Sequence, residues 1–187
     1  YLNLKKIDLK KINNLIFFDG INLDNNLYKK INGKIKIFYK EKKLVKSFIK
    51  KLNLEIKSAN GEFTVSSGKI NVNGAEVFID FNTTTFENTK RLNFKVKFNF
   101  FDLKKFLKEF KVKSNDDSIK SLLLKGSVNL SANKISFDEI LIDNELQVLN
   151  EDKNYYKEVF EKKVLNENLL NIFDKEKLKE FIIETYQ

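Results

Sequence analysis

Cysteine and histidine are both missing from this chain of 187 residues, and so are methionine, tryptophan and proline. Without Cys there are no disulfides, no thiol chemistry and no thiolate metal sites, and the redox compartment is left open. Without His the commonest general base, the Ser-His-Asp arrangement and nearly every transition-metal site are gone, leaving only carboxylates, Lys, Tyr and hydroxyls. A non-enzymatic protein is the expectation. Without Met there is no initiator, so the sequence is expected to be a piece of a longer chain, with any signal peptide or anchor upstream. No apolar run approaches the ~18–20 residues that span a bilayer.

Glycine is scarce as well: the 6 Gly are too few and too scattered for a phosphate loop. Asp116-Asp117 and Asp138-Glu139 are single acidic pairs without calcium-loop spacing, and Thr83-Thr84-Thr85 reads as a polar strand end. The expectation is therefore no catalytic residue, no metal and no cofactor.

Arginine occurs once, as Arg91; every other basic residue is Lys. The net charge of +9 would suggest nucleic acid, but base and phosphate recognition favours the planar bidentate guanidinium. Abundant Lys, Asn, Ile and Phe beside scarce Pro, Ala, Gly and Arg is what an A/T-rich genome writes on any protein. No specific nucleic-acid partner is expected. The charge divides unevenly, with a net +12 over residues 1–143 and −3 over 144–187, so the tail is a different kind of segment.

What is present is alternation. In residues 91–110, RLNFKVKFNFFDLKKFLKEF, every second residue from Leu92 to Phe100 is large and apolar, the pattern of a half-buried strand. The period then lengthens: Leu103, Phe106, Leu107 and Phe110 share one helical face, and Asp102 is the expected N-cap. KIKIFYK (34–40), LNLEIK (52–57) and AEVFIDFN (75–82) are also one-sided strands, while KKLVKSFIKK (42–51) reads equally as helix or strand. Turns are expected at Ser58-Ala59-Asn60-Gly61, Ser66-Ser67-Gly68 and Asn73-Gly74. Connections this short exclude parallel crossovers, which gives an antiparallel meander.

After a polar loop (113–118), residues 121–132 carry Leu122, Leu124, Val128 and Leu130 in one phase, with Gly126 at the missing apolar position, a bulge or a close backbone approach. Residues 134–143 carry Ile135 and Phe137, then Ile140 and Ile142; the slip at Asp138-Glu139 calls for a β-bulge that keeps both halves inward. Beyond Asn150 the spacing of Tyr155, Tyr156, Val159 and Phe160, of Leu169, Leu170 and Phe173, and of Leu178, Phe181 and Ile182 predicts two or three short helices. Their apolar stripe is expected to pack on the end of the sheet and guard its last strand from edge pairing. The fold class is mainly β with α (α+β): an antiparallel sheet, one inserted helix near 102–110 and a helical tail.

One-sided strands followed by FNFFDLKKFLKEF, a polar loop, LLLKGSVNLSANKISFDEILID and a helical tail resemble the C-terminal part of bacterial AsmA-like proteins, the group of AsmA, TamB and YhdP. The resemblance covers residues 30–145, in the run D-L-x-x-[FL]-[LF] and the strand G-x-[VL]-x-L. It implies two parts, a β-rich segment at 1–145 shaped as a curved, open groove and a tail at 146–187. It further implies a periplasmic segment of a protein anchored in the inner membrane, whose apolar face shelters phospholipid acyl chains during transfer to the outer membrane. On that implication Leu92, Phe94, Val96, Phe98, Phe100, Leu122, Leu124, Val128 and Leu130 line the groove, and the helix at 102–110 caps or walls it. The alternative from the residues alone is an envelope scaffold or docking module with a closed core, in which each Phe is simply packed. A Lys-rich module for anionic surfaces ranks third, because the lysines occupy the outer phase of many strands.

Overall fold

In the computed structural model the structure describes residues 2–3, 32–41, 48–86, 89–114, 118–166 and 175–186. The strands are β1 (Leu2–Asn3), β2 (Gly33–Lys40), β3 (Ile49–Ala59), β4 (Glu62–Val72), β5 (Ala75–Phe86), β6 (Thr89–Phe100), β7 (Ser121–Asn129), β8 (Lys134–Ile142) and β9 (Leu146–Gln147). Helix α1 (Leu103–Lys108) lies between β6 and β7; α2 (Asn150–Phe160), a π-helical turn (Glu161–Leu165) and α3 (Lys175–Tyr186) follow β9. The strands form a single sheet in chain order with β1 and β9 at its two ends, so the sheet is open.

Every pairing from β2 onward is antiparallel, as the short connections require. The exception to the expected meander is β1, which runs parallel to β2 through Leu2↔Ile37 and Asn3↔Phe38. The 29-residue separation between those strands supplies the crossover length that the other connections lack.

Two tight turns fall where Asn-Gly pairs stand. Asn60 and Gly61 have φ of 54° and 81°, and Gly74 has φ 79°, a conformation cheap for Gly and tolerable for Asn. The third expected turn, at Ser66-Ser67-Gly68, is absent: β4 runs straight through it. Val65 pairs with Phe81 and Gly68 with Ile79, so Ser66 and Ser67 together face Asp80. This is a bulge, with Ser67 at φ 60° and its N–H donating to Asp80 Oδ1 at 2.6 Å. The bulge at the end of the sheet is where the sequence places it. Lys125 pairs with Glu139 and Gly126 with Phe137, leaving Asp138 as the extra residue.

Helix α1 begins at Asp102, whose carboxylate accepts the Lys105 N–H at 2.8 Å. Its buried Leu103, Phe106 and Leu107, with Phe110 beyond, share one buried cluster with Val72, Ala75 and Val77 of the sheet. Burying each such side chain contributes roughly 1.5–3 kcal/mol, which fixes a helix too short to persist alone. Of the segment 42–51, residues 49–51 belong to β3 and 42–47 lie outside the described residues. Tyr155, Tyr156, Val159 and Phe160 lie on α2 and Leu178, Phe181 and Ile182 on α3, whereas Leu169, Leu170 and Phe173 fall outside the described residues.

Candidate binding face

The registers place the apolar phases of successive strands on one side of the sheet. Tyr39 faces Leu52, Leu52 faces Ile70, Ile70 faces Val77, Val77 faces Phe98, Phe98 faces Leu122 and Leu122 faces Ile142. One row of apolar side chains thus crosses seven strands. A second row joins Val65, Phe81, Phe94, Gly126 and Phe137. Without the bulges at Ser66-Ser67 and Asp138, half of β4 and half of β8 would turn their apolar residues outward.

All nine residues proposed from the sequence to line a groove share this inner face. Leu92 pairs with Val128, Val96 with Leu124 and Phe98 with Leu122; Phe94 stands opposite Gly126; Leu130 follows β7 with its N–H bonded to Lys90 O. Their covering differs. Leu92 and Val128 are buried at 6% and 4% exposure, in a cluster with Ile135 and with Leu165 of the π turn. Phe94, Val96, Phe98, Phe100, Leu122, Leu124 and Leu130 are only partly buried.

Two covers lie on the face. Over one end sits α1: Phe106 meets Phe98 and Phe100 at ring-centroid distances of 6.0 and 5.3 Å, and Leu178 and Ile182 of α3 join the same cluster. Over the β6–β8 part sits the tail, in a chain of edge-to-face rings from Phe94 to Phe137, Phe160 and Phe181. Phe81 touches both clusters. Val65, Val77, Ile79 and Phe81 belong to the same face although the groove set implied by the resemblance omits them; the antiparallel meander places them there by phase alone.

Lys90 is the basic side chain in the inner phase of β4–β8, two residues before Leu92. Its ammonium lies 5.3 Å above the Phe63 ring and donates to Gly61 O at 3.3 Å. Burial pulls its pKa below the ordinary lysine value, opposed by the longer-range pull of Glu62.

The opposite face is mostly polar, interrupted by Phe38, Phe78, Leu123 and Leu141, and is threaded by cross-strand ion pairs: Glu55 with Lys34 and Lys36, Lys69 with Glu76, and Lys125 with Glu139. Exposed pairs of this kind contribute about 0–1 kcal/mol each, and they mark this side as a solvated back. A shallow depression of about 400 Å³ lies beside the Ser66-Ser67 bulge, lined by Thr64, Ser66, Asp80, Asn82, Asn93 and Lys95 together with Val65, Phe81 and Phe94. Among the described residues no acidic cluster has the makings of a metal site, and no helix is long and apolar enough to cross a membrane. The chain matches no protein-family model, no curated protein and no solved structure.

Proposed function

We propose that this chain is a non-enzymatic cell-envelope segment whose inner face receives a phospholipid acyl chain, as its resemblance to AsmA-like proteins implies. The observation that carries the reading is the partial burial of Phe94, Val96, Phe98, Leu122 and Leu124 in the middle of a continuous apolar face. An open sheet with one apolar side needs a second layer or an apolar ligand over it. Here α1 and the tail supply only part of that layer. On this reading the segment lies in the bacterial periplasm, held to the inner membrane by an anchor outside the sequence given, and assists phospholipid movement in outer-membrane biogenesis. On this reading no cofactor is called for, and the lysines of the outer face serve as a solvated back rather than a nucleic-acid surface.

The deep burial of Leu92 and Val128 under Leu165 favours a second reading, a closed scaffold or docking module, for the β6–β8 end of the face. A photo-crosslinking amino acid at position 96, in protein expressed in a bacterial envelope, separates the two. Lipid adducts at 96, together with a folded Val96→Lys variant that has lost them, are the expected result. If only protein adducts form at 94, 96 and 98 and Val96→Lys fails to fold, the scaffold reading replaces this one.

A further inference from the structure

We infer that the ligand of the inner face is an anionic amphiphile whose headgroup, a phosphate or carboxylate, sits against Lys90 at the end of the sheet remote from α1. The inference rests on the acyl-chain reading above and adds polarity and direction to it. The two ends of the face differ. At the α1 end the face is sealed by Leu103, Phe106, Leu107 and Phe110, all under 9% exposed, so a polar headgroup has no place there. At the other end the inner phase passes from Leu92 to Lys90 on β6 and from Phe81 to Thr83 and Thr85 on β5, where Thr83 faces Leu92 and Thr85 faces Lys90.

Lys90 carries three N–H donors, and its neighbours occupy little of that capacity. One long bond runs to Gly61 O and the Phe63 ring lies beneath; no carboxylate stands within 4 Å among the described residues. Several lysines on the outer face are different: Lys34, Lys36, Lys69 and Lys125 each hold a carboxylate. A partly desolvated cation beside an apolar face, short of a counter-ion, is what an anionic headgroup would complete, and a charge-assisted bond is the stronger for the lost water. Phe63, beneath the ammonium, is packed on the same cluster as Ile79, Phe81 and Val96, so chain and headgroup sites adjoin.

The test compares 1-oleoyl lysophosphatidate with 1-oleoylglycerol, the same chain with and without the phosphate, below their micellar concentrations at low salt. Wild type is expected to prefer the lysophosphatidate by about tenfold, the scale of one charge-assisted contact. Lys90→Gln should bring the two ligands to within about twofold, Lys90→Arg should restore the preference, and Lys95→Gln on the outer face should leave it unchanged. Circular dichroism of each variant establishes that it is folded. Equal binding of both ligands by wild type, or a preference that survives Lys90→Gln, overturns the headgroup site and leaves the acyl-chain reading standing. If neither ligand binds, both fall together.

Discussion

Gly126 stands directly across the β6–β7 ladder from Phe94, and the missing side chain is what lets the ring and the next strand close in. A Cβ built at Gly126 would lie 2.0 Å from Ser136 O and 2.9 Å from Phe94 Cζ. The nearer obstacle is backbone, held in place by β7–β8 pairing, so it cannot swing aside. Gly126→Ala should therefore lower stability by about 3 kcal/mol, in the range of overpacked sites, read as a fall in the urea midpoint with an unchanged slope. A loss below about 0.5 kcal/mol, the scale of a neutral surface change, would mean that the strands are not this close.

Much of this was legible from alternation. Each of the one-sided strands at 34–40, 52–57, 75–82 and 92–100 lies within a strand of the sheet, and Asp102 caps the helix where the period changes. The bulge at Asp138 followed from a slip in apolar phase between Phe137 and Ile140. The same rule read in β4 would have found the other bulge: Phe63 and Val65 are in one phase, Ile70 and Val72 in the next. Ser-Ser-Gly instead looked like a hairpin turn, because small polar residues serve equally where a strand reverses and where it swallows an extra residue. The parallel β1–β2 pair was not legible, since two residues carry no period. The unequal cover of the inner face was not legible either, because alternation says which way Leu92 and Phe94 point but not that Leu92 is buried in the cluster with Leu165 while Phe94, packed against that cluster, stays only partly buried.

The β4 bulge gives a test in which a substitution stabilises. Ser67 holds φ 60°, strained for a residue with a Cβ, and is tied down by the Asp80 carboxylate. Ser67→Gly should relieve that strain and raise stability by up to about 1 kcal/mol, while Asp80→Ala should lower it by about 1–2 kcal/mol. Thermal melting of both variants checks the pair; a destabilised Ser67→Gly would show that the bulge is not shaped this way.

Gly74 joins the β4–β5 turn to α1. Its carbonyl accepts the N–H groups of Phe101 and Asp102, and a Cβ there would lie 2.2 Å from Asp102 O. With φ at 79° the site also resists any L side chain. Gly74→Ala should therefore cost at least about 2 kcal/mol, well above the ~1 kcal/mol expected for loss of the N-cap in Asp102→Ala. Equal effects would separate the turn from the helix.

The depressed pKa of Lys90 predicts a pH dependence with a definite sign. Burial makes the ammonium the disfavoured form in the folded chain, so folding is easier once the proton is gone. Between the folded value and the unfolded value of about 10.4 the unfolded chain holds more protons, and stability rises with pH. That gain is complete above the unfolded value and is lost as pH falls through the folded one. Relative to Lys90→Met, wild type should therefore gain stability as the pH is raised from neutrality toward about 10.4, with the other lysines cancelling in the difference. A flat difference would place the ammonium in bulk water.

The tail supplies the last test, because it covers both the face and the edge of the sheet. Val164 and Leu165 are 0% and 1% exposed, and Leu165 packs with Leu92, Val128 and Ile135. Along the outer edge of β8, β9 pairs with Leu141 and Ile142, and the Val148 N–H reaches Ile140 O. Farther along, Lys153 Nζ donates to Asp138 O, and Glu161 Oε1 accepts the Ile135 N–H at 3.0 Å. A cation thus meets an edge carbonyl and a carboxylate meets an edge amide, so groups that would otherwise recruit another strand are occupied. Truncation after Asn150 removes Lys153, Glu161 and Leu165 together. The shortened protein should melt at a lower temperature and self-associate in sedimentation, and Glu161→Ala alone should reproduce a smaller part of the loss. A truncated chain that stays monomeric and as heat-resistant as its parent would remove the tail from any role in guarding the edge, and would leave β9 as the only strand protecting β8 among the described residues.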